Sequence, residues 1–277
     1  MSASNPPATP GLDKYSAPHW LGARANRRFH VMAKPAGSAC NLDCAYCFYL
    51  SKRVLPGGPG SGHMPDDVLE RFVKDYIDSI TADEVVFSWQ GGEPTLLGLG
   101  FFEKVVALQK KHARAGQRIE NDLQTNGTLL DDDWARFLKQ QRCLVGLSID
   151  GPREIHDHCR ITKHAEPTFD QVFAAAKMLQ KHGVRFNTLT GVHRYNASRP
   201  LDVYRFLRRE IGSTYIQFIP IVEIRGFENM APGTWDEAKL PMLGDPRCHP
   251  DHPESVVTPW SVAAEEYGYF LSKIWDE

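Results

Sequence analysis

Residues 38–49 read SACNLDCAYCFY and set three cysteines, Cys40, Cys44 and Cys47, in a C-x-x-x-C-x-x-C pattern. The pattern follows an apolar run that predicts a β-strand, Phe29–Lys34. Soft thiolates this close together on one loop can converge on one metal centre. A [4Fe–4S] cubane bound by three cysteines keeps one iron open to a small molecule. The spacing therefore predicts a reaction site rather than a simple electron carrier.

A structural zinc site is the alternative interpretation of these cysteines, and it needs a closed set of four ligands. His30 is close in sequence but falls on the predicted strand, and Cys248 is far along the chain. No second C-x-x-C pair is present to complete a zinc ribbon. Because the fourth ligand is missing, the pattern favours an iron–sulfur cluster over zinc.

The composition is that of an ordinary globular protein, with 42% hydrophobic and 24% charged residues among 277. This length suits one large α/β domain or two small ones. A formal net charge of −2 gives no field that would recruit nucleic acid or an anionic membrane. No apolar run is long enough to span a bilayer, and residues 1–28 lack the apolar segment of a secretory signal. Because Cys143, Cys159 and Cys248 are scattered rather than paired in a disulfide pattern, we expect a protein of the reducing cytoplasm. The charge and the apolar runs give no reason to expect nucleic acid or membrane partners.

Short apolar or β-branched runs alternate with longer amphipathic ones along the chain. The predicted strands are Phe29–Lys34, Glu84–Trp89, Ile119–Thr125, Leu144–Ile149, Val184–Thr190 and Tyr215–Ile219. The predicted helices are Pro65–Ile80, Phe101–Ala115, Asp132–Gln141, Phe169–His182, Leu201–Glu210 and Ser261–Trp275. Six β-then-α units predict an α/β fold with a parallel sheet and right-handed crossovers, an open, partial (β/α)6 TIM-like barrel. Active residues are then expected at the carboxyl ends of the strands.

The sequence suggests four consecutive parts. Residues 1–28 are expected to form a flexible extension, and residues 29–225 the barrel core. Residues 226–260 are expected to form an irregular Pro-rich excursion, and residues 261–277 the last core helix. The stretches Pro56–His63 and Pro232–Thr258 are expected at the surface. The chain stops inside a helical pattern, which suggests a longer protein truncated before a further domain.

Glycine and polar residues follow the predicted strands, where a ligand site is expected. Gln90, Gly91, Gly92 and Glu93 follow the second strand. The glycines allow close backbone approach to a ligand, and Glu93 could accept a hydrogen bond from an ammonium group. A tight β-to-α turn is the alternative interpretation. The Asn-Gly turn at Thr125–Gly127 ends the third strand, and such a turn is common without any function.

Two further side chains near the fourth predicted strand are candidates for ligand contacts. Ser148 ends that strand and could bind a ribose hydroxyl, or could cap local backbone instead. Arg160 could clamp a carboxylate with two hydrogen bonds, or could form a surface salt bridge. Neither residue type decides between these roles when it is taken alone.

Histidines and aromatic residues near these motifs are also open to two interpretations. His156 and His158 are two residues apart on a segment expected to be irregular, which favours packed or solvated histidines over metal ligands. Tyr46, Phe48 and Tyr49 flank the last cysteine, where they could stack on a nucleobase, shield a cluster or pack in the core.

Taken together, these motifs resemble the radical S-adenosylmethionine (AdoMet) superfamily. Its signature is the three-cysteine pattern with an aromatic residue, here Tyr46, before the last cysteine, and Gly91–Pro94 resembles its methionine-binding turn. Finer segments are similar to anaerobic sulfatase-maturating enzymes. These segments are CNLDCAYCFYL (40–50), FSWQGGEPTL (87–96), LQTNGTLL (123–130), LSIDGP (147–152) and HDHCR (156–160). The resemblance runs from about Phe29 to about Glu223 and includes the last helix.

The resemblance implies an enzyme that oxidises a cysteine or serine in an unfolded sulfatase segment to formylglycine. The open iron would chelate the amino and carboxylate groups of AdoMet, and one electron, from a donor such as a ferredoxin or flavodoxin, would cleave the sulfonium. The resulting 5′-deoxyadenosyl radical would remove a hydrogen atom from the substrate β-carbon. By this resemblance, Cys40, Cys44 and Cys47 would bind the cluster, and the aromatic ring of Tyr46 would lie beside the cofactor. Contacts to AdoMet would come from Gly91, Gly92 and Glu93 for the amine, from Ser148 for the ribose and from Arg160 for the carboxylate. Tyr49 and Gln90 would contact the substrate.

The sequence departs from that family in one respect. Family members carry a cysteine-rich C-terminal domain with two auxiliary [4Fe–4S] clusters and an aspartate proton acceptor. After Cys47 the sequence has only Cys143, Cys159 and Cys248, at no cluster spacing, so these groups cannot be placed on it. Two other functions stay open: a radical AdoMet maturase of another ribosomal peptide, and a non-enzymatic, metal-stabilised interaction module.

Overall fold

The computed structural model describes residues 29–49, 63–226, 241–242 and 244–277. The expected extension 1–28, nearly all of the loop Pro56–His63 and the first part of the excursion Pro232–Thr258 lie outside these residues. Within the described ranges, strands and helices alternate as the sequence predicts. None of the helices described there combines the length and the apolar character needed to cross a membrane.

Six parallel strands form one sheet with the spatial order β1-β2-β3-β4-β5-β6. They are β1 Val31–Ala33, β2 Glu84–Trp89, β3 Arg118–Thr125, β4 Leu144–Ser148, β5 Arg185–Val192 and β6 Ile216–Pro220. Each strand pairs with the next strand in the chain. The sheet curls into an open half-barrel. The prediction of a partial (β/α)6 barrel is confirmed. The carboxyl ends of all six strands lie on the same edge of the sheet.

Helices connect the strands, and one further helix follows the last strand. They are α1 Asp66–Ser79, α2 Leu99–His112, α3 Asp132–Gln140, α4 Arg153–Cys159, α5 Phe169–Lys181, α6 Arg194–Ala197, α7 Pro200–Arg205 and α8 Ala264–Trp275. Short 3₁₀ turns occur at Pro94–Leu97 and Pro246–Cys248. Asp131 caps the start of α3, because its carboxylate accepts a hydrogen bond from the Trp134 N–H at 2.9 Å.

Two helical predictions are wrong. The segment around His156 is helix α4 rather than irregular chain. This helix has seven residues and begins directly after Pro152, so it shows too few turns for a periodic pattern to be detected. The predicted helix Leu201–Glu210 is two pieces, α7 and a π-helical turn, Phe206–Glu210. In that wider turn the adjacent Phe206 and Leu207 are both buried.

The outer face of the sheet packs against the helices. On β2, the alternate residues Val85, Phe87 and Trp89 are buried in one cluster with Leu69 and Ile77 of α1. Successive side chains of a strand point to opposite faces, so the residues between them belong to the inner, concave face. The concave face therefore carries the more polar positions of the strands and is the face on which a ligand cavity can form.

The end of the Pro-rich excursion is buried, although a surface position is expected from its sequence. Three of the four residues 255–258 are buried. The Thr258 N–H donates to the Glu223 carbonyl oxygen at 2.8 Å, and the Arg225 N–H donates to the Val256 carbonyl oxygen at 2.9 Å. This backbone pairing with the chain just beyond β6 satisfies the polar groups of the segment and allows its burial.

Candidate active site

The cysteine loop, residues 38–49, is tied to the segment that follows α4. The backbone N–H of Asp43 donates to the carbonyl oxygen of Ile161, and that of Ala45 donates to the carbonyl oxygen of Cys159, each at 2.9 Å. Arg160 lies between the two acceptor residues. These bonds hold the loop at the carboxyl edge of the sheet, so the cysteines and Arg160 meet although they are far apart in sequence.

The three cysteines of the loop line one cavity of about 530 Å³. Burial raises the pKa of Cys40 to about 11 and that of Cys44 to about 12, so both thiols keep their protons until a metal displaces them. Among the described residues, no three Cys, His, Asp or Glu side chains are grouped closely enough to hold one metal ion. A cubane does not require such a group, because each of its three thiolates binds a different iron. Three soft donors around a cavity of ligand size fit such a cluster with a small molecule on its open iron.

Ten of the eleven predicted site residues line this cavity. They are Cys40, Cys44, Tyr46, Cys47, Tyr49, Gln90, Gly91, Gly92, Ser148 and Arg160. Other lining residues were not predicted, among them Gln124, Leu189, Gly191 and the run from Ile219 to Glu223. These lie on or just after β3, β5 and β6, so the rule that sites form at strand ends is the signal that could have found them.

The GGEP turn, Gly91–Pro94, is packed directly against the backbone of the cysteine loop. The Gly92 N–H donates to the Gly37 carbonyl oxygen at 2.9 Å, and the Glu93 N–H donates to the Ala39 carbonyl oxygen at 2.8 Å. Gly91 has a φ of +131°, which favours glycine. A Cβ on Gly92 would lie 2.1 Å from the Ala39 carbonyl oxygen, which is impossible without movement. Both glycines are therefore needed for the turn and the loop to touch.

Glu93 is the one predicted site residue that does not line the cavity, and its side chain is fully buried. Its Oε1 accepts hydrogen bonds from the N–H and hydroxyl of Thr95, at 3.0 and 2.6 Å, and from the Thr125 hydroxyl, at 2.8 Å. Its Oε2 accepts from the Asn126 N–H at 2.7 Å. The carboxylate thus ties the GGEP turn to the end of β3, rather than facing a ligand amine as the sequence suggests. The donors at the end of β3 belong to the Thr125–Gly127 turn, for which the sequence suggests no function.

Replacing Glu93 with glutamine should lower the free energy of unfolding by about 1–3 kcal/mol, the usual effect of leaving a buried hydrogen-bonding group without its partner. The single oxygen of the glutamine amide can serve only one of the two acceptor positions, and its NH₂ group must then face a donor. Denaturant unfolding checks this expectation. Glu103→Gln, at an exposed position on α2, is the matched control. Equal unfolding free energies for both variants would contradict it.

Asp150 is a buried residue that the sequence did not single out as a site residue. Its Oδ2 accepts hydrogen bonds from the Tyr46 hydroxyl and, at 3.0 Å, from Arg160 Nε. Its Oδ1 accepts from the Gly191 N–H at 2.9 Å. Burial is the largest single influence and raises the pKa of this carboxyl, but the opposing effects of Arg160, His193, His156 and the Tyr46 hydrogen bond together leave the pKa below its ordinary value. The salt bridge of Arg160, which in the alternative interpretation lies at the surface, is therefore buried.

The histidines near the site are packed rather than grouped around a metal. His156 is buried, and burial lowers its pKa to about 3, so the ring is neutral. His158 is exposed and packs on Tyr195, with 3.7 Å between ring centroids. His193, which follows β5, is buried beside Tyr46, and neither ring nitrogen has a hydrogen-bond partner in the part of the chain that the structure describes.

A family model described as the radical SAM superfamily matches residues 35–207, a span that holds the cysteine loop, the GGEP turn and Arg160. The chain belongs to the radical SAM superfamily. A [4Fe–4S] cluster and AdoMet are the cofactors of this superfamily, and the donor set and the cavity of this member fit them.

Curated relatives of this radical SAM chain include two kinds of maturating enzyme. The serine-type anaerobic sulfatase-maturating enzyme of Bacteroides thetaiotaomicron is 42% identical over 248 residues, which cover 90% of this chain and 56% of the relative. The cysteine-type enzyme of Clostridium perfringens is 43% identical over 214 residues, which cover 76% of this chain and 57% of the relative. The chain thus spans little more than half the length of these curated relatives.

Solved structures agree with the radical SAM fold. Native anSMEcpe with bound AdoMet and the Cp18Cys peptide superposes with a TM-score of 0.70 at 36% identity, covering 89% of this chain and 58% of that one. Streptococcus suis SuiB bound to the precursor peptide SuiA superposes with a TM-score of 0.56 at 15% identity, covering 79% of this chain and 44% of that one. The second likeness concerns the fold alone.

Proposed function

We propose that this chain forms the AdoMet-cleaving core of an anaerobic sulfatase-maturating enzyme, which oxidises a peptidyl cysteine or serine to formylglycine. The observation that carries the proposal is the single cavity in which the cysteine loop, Gly91, Gly92, Ser148 and Arg160 meet. Serine-type and cysteine-type relatives match about equally well, so the proposal includes both substrate residues.

In this proposal each part of the cavity has a role toward the cofactors. Cys40, Cys44 and Cys47 hold the cluster. The backbone carbonyls of the GGEP turn accept hydrogen bonds from the AdoMet ammonium group, because the turn has no Cβ at its two glycines and the Glu93 carboxylate is engaged elsewhere. The Ser148 hydroxyl binds a ribose hydroxyl, and the Arg160 guanidinium binds the AdoMet carboxylate.

When bound and reduced, the cluster supplies the electron that splits AdoMet into methionine and a nucleoside radical able to take a hydrogen atom from the substrate β-carbon. The contribution of the chain is to hold the reactants in place and to keep water out. Leu189, Ile219 and Ile221 also line the cavity and give it an apolar wall. Tyr46 and Phe48 line it near the cysteines, where they shield the cluster.

Tyr49 and Gln90 are the proposed contacts to the peptide substrate. The Tyr49 ring packs on Phe48, with 4.1 Å between centroids, and the Lys34 ammonium nitrogen lies 5.0 Å from the Tyr49 centroid. The Gln90 backbone N–H donates to the Ala33 carbonyl oxygen at 2.9 Å. Its side-chain amide makes no hydrogen bond within the described ranges, so it is available to a peptide.

The proposed partners are an unfolded sulfatase segment as substrate and a ferredoxin or flavodoxin as electron donor. The proposed setting is the cytoplasm, and nucleic acid and membranes are not among the proposed partners. The net charge of −2 and six cysteines that form no disulfide support this setting. In the proposed division, residues 29–225 and the helix within 261–277 form the core that carries the cofactors.

Anaerobic reconstitution of the full chain with iron and sulfide tests the proposed function. The reduced chain should form 5′-deoxyadenosine from AdoMet. The full-length protein should in addition convert a Cys-x-Pro-x-Arg sulfatase peptide to its aldehyde, seen as a mass loss at the cysteine. The same peptide with alanine in place of the cysteine is the control. Formation of 5′-deoxyadenosine without peptide conversion would favour a maturase of another ribosomal peptide. A protein that binds only zinc and leaves AdoMet intact would favour the interaction module.

A further inference from the structure

We propose that Asp150 is the positioning residue of the AdoMet site, which fixes the Arg160 guanidinium and the Tyr46 ring in one arrangement without itself reaching the cavity. The inference rests on the proposed binding of AdoMet, but not on the identity of the peptide substrate. Asp150 is fully buried and does not line the cavity, whereas Arg160 and Tyr46 both do. A carboxylate behind the site would therefore control the two side chains that face it.

The first support is that one carboxylate oxygen joins both side chains. The Tyr46 hydroxyl and Arg160 Nε both donate to Asp150 Oδ2, and the Arg160 guanidinium carbon lies 5.5 Å from the centroid of the Tyr46 ring. The other oxygen, Oδ1, is held by the Gly191 N–H at the end of β5. With both oxygens engaged from different elements, the carboxylate has one orientation, and so do its two donors.

The second support is the part of the guanidinium that Asp150 leaves available. Asp150 engages Nε, and no hydrogen bond of the two terminal nitrogens is found in the described part of the chain. Only 12% of the Arg160 side chain is exposed, and Arg160 lines the cavity. A guanidinium held by Nε can present its terminal N–H groups to a ligand carboxylate with little loss of freedom on binding.

The third support is a set of hydrogen bonds that holds the backbone of both residues. The Asp150 N–H donates to His156 Nδ1 at 3.4 Å, which leaves the proton of the neutral ring on Nε2. His156 Nε2 lies 3.1 Å from the Thr168 hydroxyl, and that hydroxyl donates to the Arg160 carbonyl oxygen at 2.7 Å. One histidine thus connects the backbone of Asp150 to that of Arg160 through Thr168.

The charges of the pair favour the same function. A buried guanidinium without a counter-ion would be strongly unfavourable, and Asp150 supplies that counter-ion. Burial is the largest single influence on the pKa of Arg160 and opposes the charged form, but the groups around it, Asp150 foremost, together keep that pKa above its ordinary value. The guanidinium is therefore both charged and oriented before AdoMet arrives. Removal of the carboxylate charge should leave Arg160 free to adopt other orientations.

The test is the AdoMet dissociation constant of the anaerobically reconstituted full chain, measured by equilibrium dialysis for four variants. Asp150→Asn should weaken AdoMet binding by about 10–100-fold, the range found when the hydrogen-bond partner of a metal-ligating side chain is removed. Iron content should stay at the wild-type value. Asp202→Asn removes an exposed carboxylate on α7 that pairs with Arg199, and this variant should bind AdoMet as the wild type does. Arg160→Gln supplies the background for the decisive comparison.

In the Arg160→Gln background, Asp150→Asn should change the dissociation constant by less than about 2-fold, since Arg160 is the residue through which Asp150 acts on the AdoMet carboxylate, whereas Tyr46 shields the cluster. The proposal would be overturned if Asp150→Asn had the AdoMet dissociation constant of the wild type, or if it weakened AdoMet binding by the same factor with and without Arg160→Gln. If Asp150→Asn alone does not fold, Tyr46→Phe removes one donor to the same oxygen. Tyr46→Phe should then weaken AdoMet binding by several-fold when Arg160 is present and should leave it unchanged in the Arg160→Gln background. A wild-type protein that binds no AdoMet would instead overturn the proposed function.

Discussion

Replacement of Cys44 with alanine will abolish both iron retention and AdoMet cleavage. The two remaining cysteines would leave a second iron of the cubane without a protein ligand, and a cluster held at only two corners is not expected to survive purification. Iron per chain should fall from about four to well below one after anaerobic reconstitution. Iron and sulfide analysis, the visible absorption of the cluster and 5′-deoxyadenosine formation measure the effect.

A second cysteine provides the matched control for this experiment. Cys143 is also buried, but it precedes β4 and lines no part of the cavity. Cys143→Ala should therefore keep its iron and its AdoMet cleavage even if its stability is reduced. Retention of a full cluster by Cys44→Ala would contradict the assignment of Cys44 as a ligand, and loss of the cluster in both variants would point to a general effect on folding.

Replacement of Gly92 with alanine should slow AdoMet cleavage and reduce stability. The added Cβ would lie 2.1 Å from the Ala39 carbonyl oxygen, so the GGEP turn and the cysteine loop must separate. Overpacking of this kind lowers the free energy of unfolding by about 1–3 kcal/mol. A displacement of the order of 1 Å between cluster and AdoMet should reduce the rate of AdoMet cleavage by on the order of 100-fold. Denaturant unfolding and a 5′-deoxyadenosine assay measure the two effects separately.

Gly100→Ala is the matched control for Gly92→Ala. Gly100 lies in the first turn of α2, and a Cβ placed there meets no atom within 4 Å. Alanine has a higher helix propensity than glycine, so Gly100→Ala should be neutral or slightly stabilising, with unchanged cleavage. Near-wild-type cleavage by Gly92→Ala would show that the loop can move away without harm to the site.

The sequence allowed the architecture, and most of the residues that line the candidate site, to be predicted because the relevant signals are local. Glu84–Trp89 was predicted with the bounds that the structure has, since its alternation and its Gly-Gly boundary lie within a few residues. The cysteine loop was recognised for the same reason. Ten of the eleven predicted site residues then line one cavity, because parallel strands bring their carboxyl ends to one edge.

The errors concern residues whose roles depend on distant partners. Glu93 was predicted to face a ligand, but its carboxylate is used by Thr125 and Asn126 at the end of the neighbouring strand. Asp150 was not recognised, because its two donors come from the cysteine loop and from the chain after α4. A short helix such as α4 also leaves too weak a periodic signal to be found in the sequence.

The sequence by itself determined the chemistry of the donors and the order of the elements: three soft thiols on one loop, two adjacent glycines after a strand, and six alternating β and α units. These features depend on residue type and on spacing over a few positions. Only the tertiary structure decided which polar groups face the cavity and which support it from behind. A buried carboxylate is directed by the donors around it, and those donors come from strands and loops far apart in the chain.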